Sequence, residues 1–233
     1  MASRILRWLR SALFAAIFYT MTVFFVSAAW VAALFSDAAL RRVVSGWGRF
    51  HRRACHIILG QKVQIIGDLP QEPILYIFKH ESMFETIDLL CLFDHPVVVA
   101  KQELIDIPFW GAIAKRHGVI GLRREDGAKA VRHLKAEAIK AVQSGRPICL
   151  FPEGTRVPHG EMPSIKAGFA AVYHLLGLAV VPVAVNSGLV SPRNSFVKSP
   201  GTISYKVGEV IPAGLPRKEA EARVHAAINA LNG

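Results

Sequence analysis

The chain has 233 residues, enough for a sizeable core in one domain with an appendage. Its 28 Lys and Arg against 17 Asp and Glu give a formal charge of +11, so its partner is anionic: nucleic acid, a phospholipid surface or a phosphorylated substrate. A mean hydropathy of +0.33 favours the membrane over nucleic acid, and no helix-turn-helix or aromatic-rich basic motif accompanies the charge. Cys55, Cys91 and Cys149 lie far apart in apolar runs, which argues against a disulfide framework and against metal-ligand spacing.

In chain order, Ser11 to Ser36 contains no charged residue. As a helix rising 1.5 Å per residue it reaches about 39 Å, against a hydrocarbon core of about 30 Å. A secretory signal peptide is the competing reading, since Arg4, Arg7 and Arg10 precede the run and Ser27-Ala28-Ala29 resembles a cleavage site. The run is longer than a signal's apolar core and continues past that point. Arg41, Arg42, Arg49, Arg52 and Arg53 follow, interleaved with Leu40, Val43, Val44, Trp47 and Phe50 at helical spacing. This second segment reads as a basic amphipathic helix lying among anionic headgroups. Two basic ends that both favour the cytoplasm predict a hairpin dipping into the inner leaflet of the cell's inner membrane, with a plain single span as the alternative.

From Lys62 onward the pattern becomes α/β. Short β-type runs fall at Val63 to Ile66, Ile74 to Phe78, Pro96 to Ala100, Val119 to Leu122, Ile148 to Phe151, Val180 to Val185 and Thr202 to Val207. Helical patterns intervene at Glu85 to Phe93, Phe109 to Arg116, Gly127 to Gln143 and Lys166 to Leu176, and a last one runs from Lys218 to Leu231. The alternation predicts an α/β fold with a mixed, largely parallel sheet flanked by helices. The chain divides into membrane-associated helices over 1–61 and a catalytic domain over 62–233.

His80 stands between a strand end and a helix start, where an open α/β sheet presents its chemistry. Glu85 lies five residues on, a separation that lets the two meet only if His80 sits in the turn before the helix. One reading is a dyad, in which the Glu85 carboxylate fixes the imidazole's tautomer and leaves the other nitrogen free to take a proton. Another is that Ser82-Met83-Phe84-Glu85 is a capping box, with Glu85 satisfying a backbone N–H. Both can hold together. Further along, Phe151 is followed by Pro152-Glu153-Gly154-Thr155-Arg156, a turn with a hydroxyl and a guanidinium suited to phosphate, and Arg123 and Arg124 follow Leu122. Taken alone, those two arginines are as well explained by surface pairs with Glu125 and Asp126.

Several features occur in one order: the histidine with its carboxylate, a K-x-E-L-x-x-I-P-x-x-G run at Lys101 to Gly111, arginine after G-V-I-G-L, the F-P-E-G-T-R loop and V-P-V-A-V-N-S at Val181 to Ser187. In that order they resemble the membrane-bound glycerolipid acyltransferase family, specifically bacterial 1-acyl-sn-glycerol-3-phosphate acyltransferases, over roughly residues 62–214. The resemblance implies His80 as the catalytic histidine and Glu85 as its carboxylate. It also implies Arg124 as a phosphate ligand, Glu153, Gly154, Thr155 and Arg156 as acceptor-binding residues, Pro182 in a fourth motif, and Lys101 and Lys166 as further basic positions. Lys79, Glu81 and Arg123 depart from the usual pattern. Glu81 is a second carboxylate beside the imidazole, and Arg123 a second guanidinium beside Arg124.

The implied reaction moves a fatty acyl group from acyl-CoA or an acyl-carrier protein to lysophosphatidate at an anionic membrane, with no metal and no further cofactor. Residues and reaction agree, since a thioester is already activated and a positioned base suffices. Backbone N–H groups near Gly154 are the expected oxyanion donors. The alternatives are a different lysolipid acceptor, such as a lyso-ornithine lipid, and a non-catalytic membrane-surface binding protein.

Overall fold

A computed structural model describes residues 2–123 and 127–232. The seven expected strands form one sheet: β1 (Gln61–Ile66), β2 (Leu75–Phe78), β3 (Val97–Lys101), β4 (Ile120–Leu122), β5 (Ile148–Leu150), β6 (Val180–Val185) and β7 (Gly201–Val207). Their order is β1-β7-β6-β2-β5-β3-β4, and every pair is parallel except β6 with β7. The carboxyl ends of β2, β3, β4, β5 and β6 therefore share one edge, which is where His80, Lys101, Arg123, the 151–156 loop and Ser187 emerge.

The central strand shows why these residues make a two-faced sheet. All four residues of β2 are buried, and successive side chains point to opposite sides. Tyr76 and Phe78 join a core with Phe84, Ile87 and Leu89, while Leu75 and Ile77 join a second core with Leu134, Phe169, Tyr173 and Val224. The first core lies under α3 (Phe84–Leu92) and the second under α6 (Gly127–Gln143), α7 (Ala167–Leu176) and α8 (Arg217–Ile228). A short α4 (Gln102–Ile105), unmarked in the apolar pattern, and α5 (Trp110–His117) follow β3.

Upstream, α1 (Ala2–Phe35) is a single helix, and its stretch Arg4–Phe35, with an 18-residue window of mean hydropathy 2.0, is long and apolar enough to cross a membrane. Ser36 ends it and caps α2 (Asp37–Ala54) through Ser36 Oγ, which accepts from the Ala39 N–H at 3.1 Å. The two helices run antiparallel, with Trp47 Nε1 donating to Thr22 Oγ1 at 3.0 Å and Phe50 against Phe25. The placement of α2 differs from the sequence expectation. Its apolar face packs on α1 and α3 instead of on lipid: Leu40, His51 and Ala54 are buried, and a Cβ on Gly48 would lie 2.6 Å from Leu90 Cβ. Arg52 also turns inward, gripping Asp88 with two bonds of 2.6 and 2.8 Å. The face left apolar and exposed belongs to α1, where Leu6, Leu9, Leu13, Val23, Phe24, Val31 and Leu34 are more than half exposed.

Candidate active site

The chain leaves β2 at Phe78 and places Lys79, His80 and Glu81 in the turn before α3. His80 Nδ1 lies 2.9 Å from Glu85 Oε1. The Glu85 half of the capping box holds as well, since the same oxygen accepts from the N–H groups of Glu81 and Ser82 at 2.8 Å each, but Ser82 Oγ accepts from Phe84 N at 2.9 Å and the N-cap of α3 is Met83. Glu85 Oε2 accepts from Ser82 Oγ at 3.0 Å and from Ser187 Oγ, at the end of β6, at 2.6 Å. Five donors thus meet one buried carboxylate. Burial alone would raise the Glu85 pKa, but His80, Ser187 and Ser82 overcome it and hold the group below the ordinary carboxylate range. An ionised carboxylate can only accept, so Nδ1 carries the imidazole proton and Nε2 keeps its lone pair. The His80 ring is 16% exposed and stacks on Phe151 with centroids 4.2 Å apart.

Glu81 does not compete for this histidine. It is fully buried and pairs with His159, whose Nδ1 lies 3.0 and 3.2 Å from its two oxygens, and Oε2 accepts from Gly188 N at 2.8 Å. Its burial pushes its pKa up.

The 151–156 loop is built around Gly154, whose φ of 64° suits a residue without a side chain. The Gly154 N–H closes the turn on Phe151 O at 3.1 Å, so of the backbone N–H groups expected near Gly154 as oxyanion donors this one is already engaged. Glu153 also differs from the ligand-facing residue expected. It is 2% exposed; Oε2 accepts from the His80 backbone N–H at 3.0 Å and Oε1 is 2.9 Å from Lys79 Nζ. Lys79, fully buried, directs its hydrogen bonds to Glu161 O at 2.8 Å and Asn229 Oδ1 at 2.7 Å, so its link to Glu153 is an ion pair without hydrogen-bond alignment. Burial pushes the Glu153 pKa up, and the Lys79 ammonium opposes it. Val157 N donates to His80 O at 2.7 Å, fastening the loop directly behind the histidine.

Thr155 is exposed and Arg156 half-buried on the same loop. Lys166 precedes α7, exposed, with its N–H on Pro152 O at 3.2 Å, and Lys101 ends β3 exposed. Arg123 pairs with Asp106 at 2.7 Å; Arg124, with the Glu125 and Asp126 expected as partners, lies outside the described residues. Sequence reasoning missed the Ser187 hydroxyl, His159 and the Lys79 anchor, which join positions 78 to 150 residues apart. One signal was legible: a lysine at the end of an all-apolar strand needs a buried carboxylate.

Two concave regions lie elsewhere. One of about 480 Å³ is lined by Asp37, Arg41, His95, Arg116, His117 and Arg146, and one of about 460 Å³ by Arg49, Arg53, Cys91 and Phe93 among others. Neither includes His80. The chemistry concentrates at the strand ends.

A family model for acyltransferases matches residues 60–186. The chain is 32% identical over 178 residues to a 1-acyl-sn-glycerol-3-phosphate acyltransferase of Pseudomonas aeruginosa, covering 76% of this chain and 69% of that one. It is 34% identical over 146 residues to the enzyme of the same name from Helicobacter pylori, 60% and 61% covered, so it spans about two thirds of these relatives. A lyso-ornithine lipid O-acyltransferase of P. aeruginosa is 27% identical over 62% of this chain and 56% of its own. The crystal structure of the 1-acyl-sn-glycerophosphate acyltransferase PlsC from Thermotoga maritima has the same fold, with a TM-score of 0.75 at 20% identity over 96% of this chain and 95% of that one. On the family match and the P. aeruginosa relative together, the chain belongs to the acyltransferase family and is an acyltransferase.

Proposed function

We propose that this acyltransferase moves a fatty acyl group from acyl-CoA or an acyl-carrier protein to the sn-2 hydroxyl of 1-acyl-sn-glycerol-3-phosphate, giving phosphatidic acid. The observation that carries the reading is the 2.9 Å contact between His80 Nδ1 and a fully buried Glu85, which leaves Nε2 as a base at the sheet edge. Nε2 takes the proton of the acceptor hydroxyl as its oxygen attacks the thioester carbonyl. The imidazolium, stabilised by Glu85, returns the proton to the leaving thiolate as the C–S bond breaks. No protein nucleophile is required. Ser82 and Ser187 are committed to Glu85, and burial pushes the Cys55 and Cys149 thiols far up.

Thr155 and Arg156 stand beside the histidine as acceptor contacts, Arg156 presenting a guanidinium to the phosphate, and Arg124, Lys101 and Lys166 add positive charge around them. Glu153 and Gly154 act by shaping the loop. The exposed apolar face of α1 enters the bilayer, anionic lipids meet the basic surface, and the sheet edge faces the cytoplasmic leaflet.

The test uses the full chain in anionic lipid vesicles with a labelled acyl thioester. Wild type converts lysophosphatidate, whereas His80→Ala loses at least about 10²-fold in kcat with its melting temperature nearly unchanged. Substantial turnover by that variant removes His80 from the reaction. Because a lyso-ornithine lipid acyltransferase is among the relatives, that acceptor competes in the same assay, and its preference over lysophosphatidate moves the reading to that lipid.

A further inference from the structure

His80 lies in the turn 79–81, and each residue of that turn is tied to the segment 157–161 beyond the Gly154 loop. Lys79 Nζ donates to Glu161 O at 2.8 Å, Val157 N donates to His80 O at 2.7 Å, and His159 Nδ1 lies 3.0 and 3.2 Å from the two oxygens of Glu81. Of the three, only the last joins two side chains.

Glu81 reaches a third segment as well. After β6 the chain makes a 3-10 turn, Ser187–Leu189, in which Ser187 Oγ donates to Glu85 Oε2 at 2.6 Å and Gly188 N donates to Glu81 Oε2 at 2.8 Å. Two buried carboxylates thus take a donor each from consecutive residues of one turn, and each holds its own histidine. The junction is tight: a Cβ on Gly188 would lie 2.9 Å from Glu81 Oε2 and 3.3 Å from His159 Cβ.

Burial, and to a smaller degree the Glu85 charge, raise the Glu81 pKa, while the Gly188 N–H and His159 oppose them. Without His159 this carboxylate keeps a single donor among the described residues, too few for a fully buried group. The His159 ring is 20% exposed, so replacing it opens little core volume and chiefly releases Glu81. His80 feels that release directly. Its backbone is held by Glu153 Oε2 on the N–H at 3.0 Å and by Val157 on the carbonyl, and Glu81 is the next residue.

We infer that Glu81 and His159 form a second histidine–carboxylate pair that positions the catalytic one, clasping the 157–161 segment and the 187–189 turn onto the His80 turn and so fixing where His80 Nε2 points. His159 acts through Glu81 and is a positioning residue. The effect on turnover rests on the acyltransferase reading; the clasp does not.

The experiment has a kinetic and a labelling arm, both on the full chain in anionic lipid vesicles. H159A should lower kcat for lysophosphatidate about tenfold or more, since a base displaced by a fraction of an ångström loses its line to the hydroxyl, while KM changes far less. H159N, whose amide Nδ2 takes the place of the imidazole Nδ1 on Glu81, should recover most of the loss, and H159S replaces H159A if that variant melts early. A wild-type kcat in folded H159A overturns the assignment. So does a change in KM alone, or an H159N as slow as H159A, because either makes the imidazole itself a substrate contact. In the second arm, diethyl pyrocarbonate modification is followed peptide by peptide by mass spectrometry. His80 should react several times faster in H159A than in the wild type and at the wild-type rate in H159N, with the exposed His174 as the internal control. If the wild type acylates no lysolipid, the acyltransferase reading fails by itself. The labelling arm then still decides: faster modification of His80 in H159A upholds the clasp, and an unchanged rate ends it.

Discussion

At the carboxyl ends of the strands, His80 has one nitrogen on a buried carboxylate and the other unengaged at the edge. At the amino ends, His117 is 4% exposed and neither of its ring nitrogens has a hydrogen-bond partner. The second region is mostly cationic, with Arg41, Arg116 and Arg146 against Asp37 and Asp94. Arg146 donates to the carbonyls of His95 at 2.9 Å and His117 at 2.8 Å, and the His95 ring lies 4.6 Å from the His117 ring. Burial and these positive neighbours hold His117 down to about 3 and His95 to about 4, so both stay neutral packing groups. The difference teaches that burial beside positive charge silences an imidazole, whereas a buried carboxylate behind a partly exposed ring makes it a base.

The comparison breaks most severely at Glu85. Replacing it with Ala strips an acceptor from five donors, several of them buried, at about 1–3 kcal/mol each, so a loss above about 4 kcal/mol is expected in urea unfolding. Glu85→Gln separates the two duties of the side chain. It keeps an acceptor for the cap but offers no charge to an imidazolium, and kcat should fall about 10²-fold or more with a much smaller stability loss. A fully active Glu85→Gln protein would end the dyad and leave only the cap.

The apolar periodicity made the scaffold legible. All seven strands lie where short β-type runs were read, because a parallel strand buried on both faces is a continuous apolar run bounded by polar breaks. The His80–Glu85 contact was within reach for a related reason: its geometry depends only on a five-residue turn. What stayed hidden is what separates residues that are distant in the chain. Arg52 reads as a headgroup contact until α3 is seen to present Asp88 to it at 2.6 Å. A charge at that position was the clue, since Asp88 sits among Phe84, Ile87 and Leu89 on a helix six of whose nine residues are buried. Spacing likewise cannot say that His159, on a different loop, takes Glu81 away from His80.

A second way to sharpen the contrast is Lys79, which supports His80 from behind. Lys79→Met leaves Glu153, 2% exposed, without its counter-ion, and removing one partner of a buried pair costs about 3–5 kcal/mol. Chemical denaturation should show that loss. The double variant with Glu153→Gln should recover a large part of it, because the orphaned charge is then gone. Additive losses in the double variant would mean that the two side chains are not coupled and that Lys79 stabilises through Asn229 and Glu161 alone.

The smallest effect belongs to the silent region and is a pH effect. His117 has a folded pKa near 3 against an ordinary 6.5, so between those values the unfolded chain binds a proton that the folded chain refuses. Stability contributed by keeping this ring neutral is therefore complete above about pH 6.5 and is lost as the pH falls toward 3, with His95 adding to the same slope down to about 4. By pH 5 the loss from His117 is about 2 kcal/mol, from 1.36 kcal/mol per pH unit below about 6.5. His117→Leu abolishes that loss. Its urea midpoint should match the wild type at pH 8 to within about 1 kcal/mol and exceed it at pH 5, while acyl transfer is unaffected because the substitution lies at the opposite edge of the sheet. Parallel stability profiles for the two proteins would show that His117 is already protonated in the fold, paired with a group that its present surroundings do not supply, and the contrast between the two histidine neighbourhoods would collapse.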